Sequence, residues 1–194
     1  VFGSDAQKKE ALPPLIQGKH KACFAVTEPN VGLDTTKLKT RAVREGDTYV
    51  VTGQKIWIST AQVADKVLLL ARTTDLADVK KPTEGLSLFY TNLDRKYVEV
   101  REIEKMGRKS VDSNQVFFDG LPVPVEDRIG EEGMGFTYQM QQFQEERLWA
   151  AASCLQSLTN CIQWTVDYAQ ERKLFGSTLA DQQWVQFKLA ELKT

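Results

Sequence analysis

Two short clusters in the first third of the chain have the residue types expected of a binding site for a flat ring. Thr27 closes the apolar run CFAV and opens a loop that contains Gly32. Trp57 and Ser59 are two residues apart, so they share one face if they lie on a strand. Their hydroxyls and indole suit a planar heteroaromatic ring that is hydrogen-bonded at its edge and packed on its face. The structural alternative places Trp57 in the core, Ser59 at a strand end and Thr27 as a turn cap.

A third cluster lies in the run QQFQEERLWAAA, residues 141–152. At roughly 100° per residue on a helix, Arg147 projects from within the apolar stripe and Glu146 from its flank. A guanidinium on a buried face needs an anionic partner or several acceptors. The segment therefore predicts either an internal ion pair or a polar group at a ligand cleft, where Glu146 could accept a proton.

The sequence contains none of the common motifs for nucleotide or metal chemistry. It has neither GxGxxG nor GxxxxGK[ST], and its single histidine is His20. The three cysteines, Cys23, Cys154 and Cys161, lack metal-ligand spacing, so we predict no metal site. Any reaction is therefore expected to use the chemistry of a bound cofactor.

Composition excludes several classes of protein. The chain has 194 residues, 42% of them hydrophobic, and a net charge of −1. This balance does not favour nucleic acid as a partner, and no apolar run is long enough to span a bilayer. The odd, sparse cysteine count is typical of a reducing, intracellular compartment.

The hydrophobic pattern predicts an α+β protein in three parts. Residues 1–20 are expected to be the end of a helix, stopped by prolines, and a connector. Residues 21–129 contain short apolar runs separated by turns, for example at Glu45–Asp47 and Thr52–Gln54. Such runs favour an all-β barrel or sandwich.

Residues 130–194 are predicted to be helical. Apolar residues recur from Phe136 with spacings of three and four, which predicts a long amphipathic helix with Gly176 just past its end. A second, antiparallel helix is expected from about Ala180. Both chain ends resemble helices that have been cut, so we expect truncation at both ends.

With these segments collected, the sequence resembles the acyl-CoA dehydrogenase family of flavoproteins along nearly its whole length. The segments that carry the resemblance occur in the family's order: GSDAQKKEALPPLIQGK, CFAVTEPNVGLDTTKLKTRA, GQKIWISTA, KMGRKSVDSNQVFFDGLPVP, IGEEGMGF, ERLWAAA, YAQERKLFG and LADQQWVQFKLAEL. The resemblance implies a β-barrel middle domain at 21–129 between the end of an N-terminal helical domain and the first helices of a C-terminal bundle.

The resemblance also implies FAD as cofactor and an acyl-CoA as substrate. The residues implied to bind FAD in the same subunit are Phe24, Val26, Thr27, Gly32, Trp57, Ile58 and Ser59. The residues implied to contact the FAD of a neighbouring subunit, in a homo-oligomer that is usually a tetramer, are Arg172, Phe175 and Gln183. Leu33, Gln144 and Arg147 occupy implied substrate-binding positions, where family members often have Ser and Asp instead of Leu33 and Gln144.

The implied reaction is α,β-dehydrogenation: a carboxylate removes the α-proton while a hydride passes from the β-carbon to the flavin. Glu146 matches the base of one subset of the family; in most members the base lies on a helix beyond residue 194. Electrons would pass to electron-transfer flavoprotein or another acceptor. The mitochondrial matrix, the peroxisome and the bacterial cytoplasm all fit. The alternative is a non-catalytic homologue that acts as a nucleotide-binding or assembly module.

Overall fold

The computed structural model describes all 194 residues and contains three α-helices and ten strands. The helices are α1 Asp5–Ile16, α2 Gly135–Glu171 and α3 Gln183–Lys193. The strands are β1 Ala22–Ala25, β2 Arg41–Glu45, β3 Thr48–Ser59, β4 Lys66–Arg72, β5 Leu86–Asn92, β6 Val98–Glu102, β7 Ser113–Pro124, β8 Arg128–Ile129, β9 Lys173–Leu174 and β10 Ser177–Thr178. The α+β class predicted from the pattern is confirmed.

The chain forms two compact units, residues 1–140 and 141–194. The first unit contains α1, the eight strands of the main sheet and the start of α2. The second contains the rest of α2, the β9–β10 hairpin and α3. The three-part division predicted from the sequence, with boundaries after residues 20 and 129, stays a prediction.

The main sheet has the strand order β6-β7-β3-β2-β4-β5-β8, and β1 pairs with β4 beside this path. Most neighbours are antiparallel, but β1 runs parallel to β4, and Arg41 pairs in parallel with Arg72. The sheet is therefore mixed. Its core is built from alternate residues of the longer strands, among them Tyr49, Val51, Leu69, Phe89, Val116 and Leu121.

Helix α1 differs from the expected proline stop. It begins at a capping box in which Ser4 and Gln7 exchange backbone–side-chain hydrogen bonds, and it continues through Pro13 and Pro14 to Ile16. The Gln7 amide also donates to the carbonyls of Glu126 and Arg128, which fastens the helix to the sheet.

Two further element boundaries were predicted wrongly. Thr52–Gln54 is not a turn but lies inside β3, which stays paired with β7 through irregularities after Val51 and after Lys55. Helix α2 ends at Glu171, so Gly176 is not the residue just past its end. Phe175 and Gly176 instead form the two-residue turn of the β9–β10 hairpin, where both have positive φ. Helix α3 begins at Gln183, after a 3₁₀ turn at Leu179–Asp181.

Candidate functional site

The first candidate cluster lies where the end of β1 meets the second half of β3. The Ile56 amide donates a hydrogen bond of 2.9 Å to the Thr27 carbonyl, although these residues come from separate segments. Thr27 is half-buried, and Val26, just before it, is buried. The structure thus brings Thr27 beside the residue that precedes Trp57.

A β-bulge determines where the Trp57 side chain goes. The pairing of β3 with β7 is irregular between Lys55 and Ile58, and Trp57 has a φ of 63°. A tryptophan in this left-handed region is strained, and such strain is common at functional sites. Trp57 is 58% exposed, so the alternative in which it belongs to the core is wrong.

The residues around the bulge separate into exposed and buried groups. Ser59 is exposed like Trp57, whereas Ile58 between them is 2% exposed and packs in the core. Ile58 still offers backbone atoms, but its carbonyl already accepts a hydrogen bond from the Asn114 side chain. The exposed indole and the hydroxyls of Thr27 and Ser59 are groups that suit a flat heteroaromatic ring.

The loop after β1 carries the other residues assigned to this cluster. Phe24, on β1, is partly buried, while Gly32 and Leu33 are exposed. A Cβ atom added to Gly32 would meet nothing within 4 Å, so close packing within the chain does not require glycine there. The exposed fraction of Leu33 is 103%, so it contributes nothing to the packing of the unit.

A buried ion pair lies directly beside this cluster, and the sequence analysis did not identify it. The Lys55 ammonium is 3.1 Å from the Glu28 carboxylate, and their side chains are 0% and 5% exposed. Burial lowers the pKa of Lys55 to about 8, against the opposing effect of Glu28. Burial alone would raise the pKa of Glu28, but Lys55 together with the hydrogen bonds from Thr40 and Lys39 lowers it. The only sign of this pair in the sequence was that a glutamate and a lysine each stand next to an apolar strand run.

A cavity of about 360 Å³ is lined in part by Glu28. Its lining includes Glu28, Asn30, Thr40, Gln54 and Phe117. Thr27, Trp57 and Ser59 are absent from this lining, so the cavity and the predicted ring-binding cluster have different walls.

The candidate residues on α2 are exposed within their own unit. Glu146 accepts a hydrogen bond of 3.0 Å from the Gln142 amide, and Gln144 is exposed. Arg147 makes no ion pair; its guanidinium lies 5.9 Å from the centre of the Phe143 ring. The internal ion pair considered for Arg147 is therefore not found.

Three candidate residues surround the β9–β10 hairpin. Arg172 follows the last residue of α2, and its carbonyl accepts a hydrogen bond of 2.7 Å from the Leu179 amide. Phe175, at the tip, is 97% exposed, so its ring does not pack within the chain. Gln183 is exposed at the start of α3. The segment from Arg172 to Gln183 therefore exposes an arginine, a phenylalanine and a glutamine.

No helix of the structure combines the length and the apolar character needed to cross a membrane. No group of three or more histidine, cysteine, aspartate or glutamate residues in the structure could hold a metal ion.

Comparison with known proteins identifies the family. Residues 23–121 match the acyl-CoA dehydrogenase middle domain and residues 133–194 match the acyl-CoA dehydrogenase C-terminal domain. The chain belongs to the acyl-CoA dehydrogenase family, as the resemblance indicated. Members of this family are FAD-dependent oxidoreductases.

Individual relatives agree with this assignment. The chain is 35% identical over its whole length to the mitochondrial long-chain specific acyl-CoA dehydrogenase of Sus scrofa, of which it covers 45%. It is 34% identical to the caffeyl-CoA reductase-Etf complex subunit CarC of Acetobacterium woodii, covering all of this chain and 50% of that protein.

The fold comparison gives the same result. The structure superposes on the acyl-CoA dehydrogenase of Geobacillus kaustophilus with a TM-score of 0.88 at 35% identity, over 99% of this chain and 50% of the other. The chain spans about half the length of these relatives.

Proposed function

We propose that this chain contributes the flavin-binding sheet and part of the catalytic helices of an FAD-dependent acyl-CoA dehydrogenase. The observation that carries the proposal is the hydrogen bond from Ile56 to Thr27, which joins the two segments assigned to FAD next to an outward-facing Trp57. An exposed indole beside two hydroxyls fits the face and edge of an isoalloxazine ring. Because members of the family are FAD-dependent, we assign the isoalloxazine ring of FAD to this cluster.

Bound FAD would supply a hydride acceptor, and residues of the sheet unit would hold it. Thr27 and Ser59 would offer hydroxyls to the ring edge, and Trp57 would offer its indole to the ring face. Phe24, Val26 and Ile58 support these positions from β1 and β3, and Gly32 lets the loop backbone approach the ligand.

The residues of α2 act on the substrate. Glu146 takes the α-proton of the acyl thioester, and Arg147 and Gln144 contact the acyl-CoA. Positioning of these groups provides the rate acceleration, because the two C–H bonds must break in a defined geometry. Leu33 offers its backbone amide, but not a hydroxyl, to the same substrate.

We further propose a homo-oligomer in which Arg172, Phe175 and Gln183 of one subunit contact the FAD of another. The exposed tip of the β9–β10 hairpin supports this, since the Phe175 ring is 97% exposed and therefore free to contact another surface. Electron-transfer flavoprotein is the proposed acceptor, supported by the similarity to a subunit of a caffeyl-CoA reductase-Etf complex.

A flavin-reduction assay on the full-length protein tests the proposal. The purified protein should show the visible absorption of bound FAD, and members of an acyl-CoA panel should bleach it anaerobically. Glu146→Gln should keep FAD bound but slow bleaching by about 10²- to 10⁴-fold, as expected for loss of a general base. Glu145→Gln, which changes the adjacent exposed carboxylate, is the matched control and should bleach normally.

Each result has a distinct meaning. A protein that stays colourless with added FAD contradicts the enzyme proposal. Normal bleaching in Glu146→Gln assigns the base to another residue. A protein that binds FAD but is bleached by no acyl-CoA supports the binding-module alternative, which the loss of a hydroxyl at Leu33 favours.

A further inference from the structure

The most buried charges of the sheet unit lie between the two segments assigned to FAD. Lys55 is the residue just before the Ile56–Ser59 segment, and Glu28 is the residue just after Val26 and Thr27. Their charged groups meet at 3.1 Å with almost no exposure. Neither residue has a role in the chemistry proposed above.

Lys55 and Glu28 join three pieces of backbone. The Lys55 ammonium donates to the Val26 carbonyl at 2.9 Å as well as to Glu28. The two oxygens of Glu28 accept from the amides of Lys39 at 2.8 Å and Thr40 at 2.9 Å. The pair therefore fixes the end of β1 to β3 and closes the loop between residues 28 and 39.

The backbone beside the pair is closely packed at Gly53. A Cβ atom added to Gly53, on β3, would lie 2.6 Å from the α-carbon of Thr40. The absence of a side chain at Gly53 lets the Lys39–Thr40 segment approach β3 closely enough for its amides to reach Glu28.

Stability alone does not account for burying these charges. Taking two ions out of water is costly, and replacing a buried ion pair by apolar residues of similar volume is often neutral or stabilising. What charged hydrogen bonds add is direction, because they are short and geometrically specific. Here the hydrogen bonds hold the Val26 carbonyl, next to Thr27, against Lys55, which is two residues before Trp57.

We propose that the Lys55–Glu28 pair is a positioning device that holds Thr27 and Trp57 at the separation and orientation needed to receive the flavin ring. The inference rests on the proposed function and deepens it, because it explains how residues assigned to FAD are held in place. The pair acts through the Val26 carbonyl and through the start of the β-bulge at Trp57.

The test uses a double substitution in the full-length protein, Lys55→Met with Glu28→Gln. Methionine replaces the buried stem without a charge. Glutamine keeps one oxygen that accepts from one of the two amides, Lys39 or Thr40, and removes the acceptor of the other. We expect the apo variant to fold with an unchanged far-ultraviolet circular dichroism spectrum. FAD should bind about tenfold or more weakly. This expectation is taken by analogy from metal sites, where removing a group that orients a ligand lowers affinity by about that factor. The visible circular dichroism bands of the remaining bound flavin should shift.

A second measurement needs no cofactor. In the apo protein, hydrogen exchange at the Ile56 amide should be faster in the double variant, while exchange at Leu69 in the core stays unchanged. The matched control is Lys37→Met with Asp34→Asn, which removes an exposed ion pair of 3.0 Å from the same loop. It should leave FAD affinity, flavin bands and Ile56 exchange as in the wild type.

Wild-type FAD affinity, flavin bands and Ile56 exchange in a folded double variant would overturn the inference while leaving the proposed function intact. A wild-type protein that binds no FAD would instead overturn the proposed function. If the double variant does not fold, Glu28→Gln alone is measured, with the same expected direction; unchanged FAD affinity in that variant overturns the inference.

Discussion

The sheet unit and the helical unit treat their large apolar side chains in opposite ways. In the sheet unit, Tyr49 and Phe89 are fully buried and their rings meet edge to face at 5.0 Å. In the helical unit, Trp164 and Trp184 are 69% and 73% exposed. The sheet completes a core with its own strands, whereas an amphipathic helix needs another surface to cover its apolar stripe.

The same contrast applies to charges. Lys55 and Glu28 are buried and paired in the sheet unit, but Glu146 and Arg147 lie exposed on α2. The sheet unit therefore contains the contacts that hold its own candidate binding residues, in particular the buried Lys55–Glu28 pair. In the helical unit the candidate groups Glu146 and Arg147 are exposed, and no buried ion pair orients them.

The largest expected effect is the loss of stability when a large aromatic side chain is removed from the closed core of the sheet unit. Phe89→Ala should lower the free energy of unfolding by about 3–5 kcal/mol, because it empties a closed core. Phe187→Ala, on α3 at 60% exposure, should change it by about 0.5 kcal/mol or less. Urea unfolding of the 194-residue chain measures both. Equal losses would contradict the contrast between the units.

Self-association of the chain should follow from the exposed helical faces. We expect the 194-residue chain to associate in sedimentation velocity experiments, and Trp164→Glu to weaken association about tenfold or more, since burial of one large apolar side chain is worth roughly 1.5–3 kcal/mol. Gln170→Glu adds the same charge on an exposed polar position and should have little effect. A stable wild-type monomer would refute this prediction.

A buried amide allows a stabilising change at the start of α2. Gln139 is 1% exposed, and neither of its side-chain polar atoms has a hydrogen-bond partner. Gln139→Leu should raise the free energy of unfolding by roughly 1–3 kcal/mol, because it removes an unsatisfied buried group. Gln141→Leu, at an exposed position nearby, should be close to neutral. Chemical unfolding curves give both values, and a loss of stability in Gln139→Leu would show that the amide has a partner.

The smallest expected effect is a loss of stability at acidic pH. The pKa of Glu28 in the folded protein lies below its ordinary value of 4.5, so the ionised carboxylate stabilises the fold above that pH. This contribution is lost as the pH falls through the folded pKa. One such group can change the unfolding free energy by at most about 1.4 kcal/mol per pH unit.

Urea titrations between neutral pH and pH 3 can isolate this contribution. The double variant Lys55→Met with Glu28→Gln should lose stability less steeply below pH 4.5 than the wild type does. Glu104→Gln, which changes an exposed carboxylate, should follow the wild-type curve. Parallel curves for the wild type and the double variant would remove Glu28 from the acid response.

Much of the fold could be predicted from the sequence because strands such as β4 and β5 are continuous apolar runs between turn residues. A turn at Glu45–Asp47 was also predicted. The structure has a two-residue turn, residues 46–47, between β2 and β3, and Gly46 has the positive φ that such turns favour. The error at Thr52–Gln54 has a physical cause. Turn-forming residues inside a strand can equally mark an irregularity in pairing, and only the partner strand β7 distinguishes the two.

The candidate site was predictable as a set of residues but not as an arrangement. Thr27, Trp57 and Ser59 were chosen from their chemistry, yet the outward direction of Trp57 depends on a bulge that no period-two pattern contains. The Lys55–Glu28 pair links residues 27 positions apart, so their contact arises only when β1 and β3 are brought together. The resemblance identified the family from ordered motifs, and the comparisons confirmed it.

The sequence by itself determined the class of fold, the family and the residue types available for binding and proton transfer. These depend on local pattern and on the order of motifs, which the chain carries without folding. Only the tertiary structure decided which lysine is buried, which tryptophan is exposed and which backbone groups meet at Thr27 and Ile56. Those outcomes depend on contacts between segments far apart in the chain, and such contacts form only when the sheet closes its core.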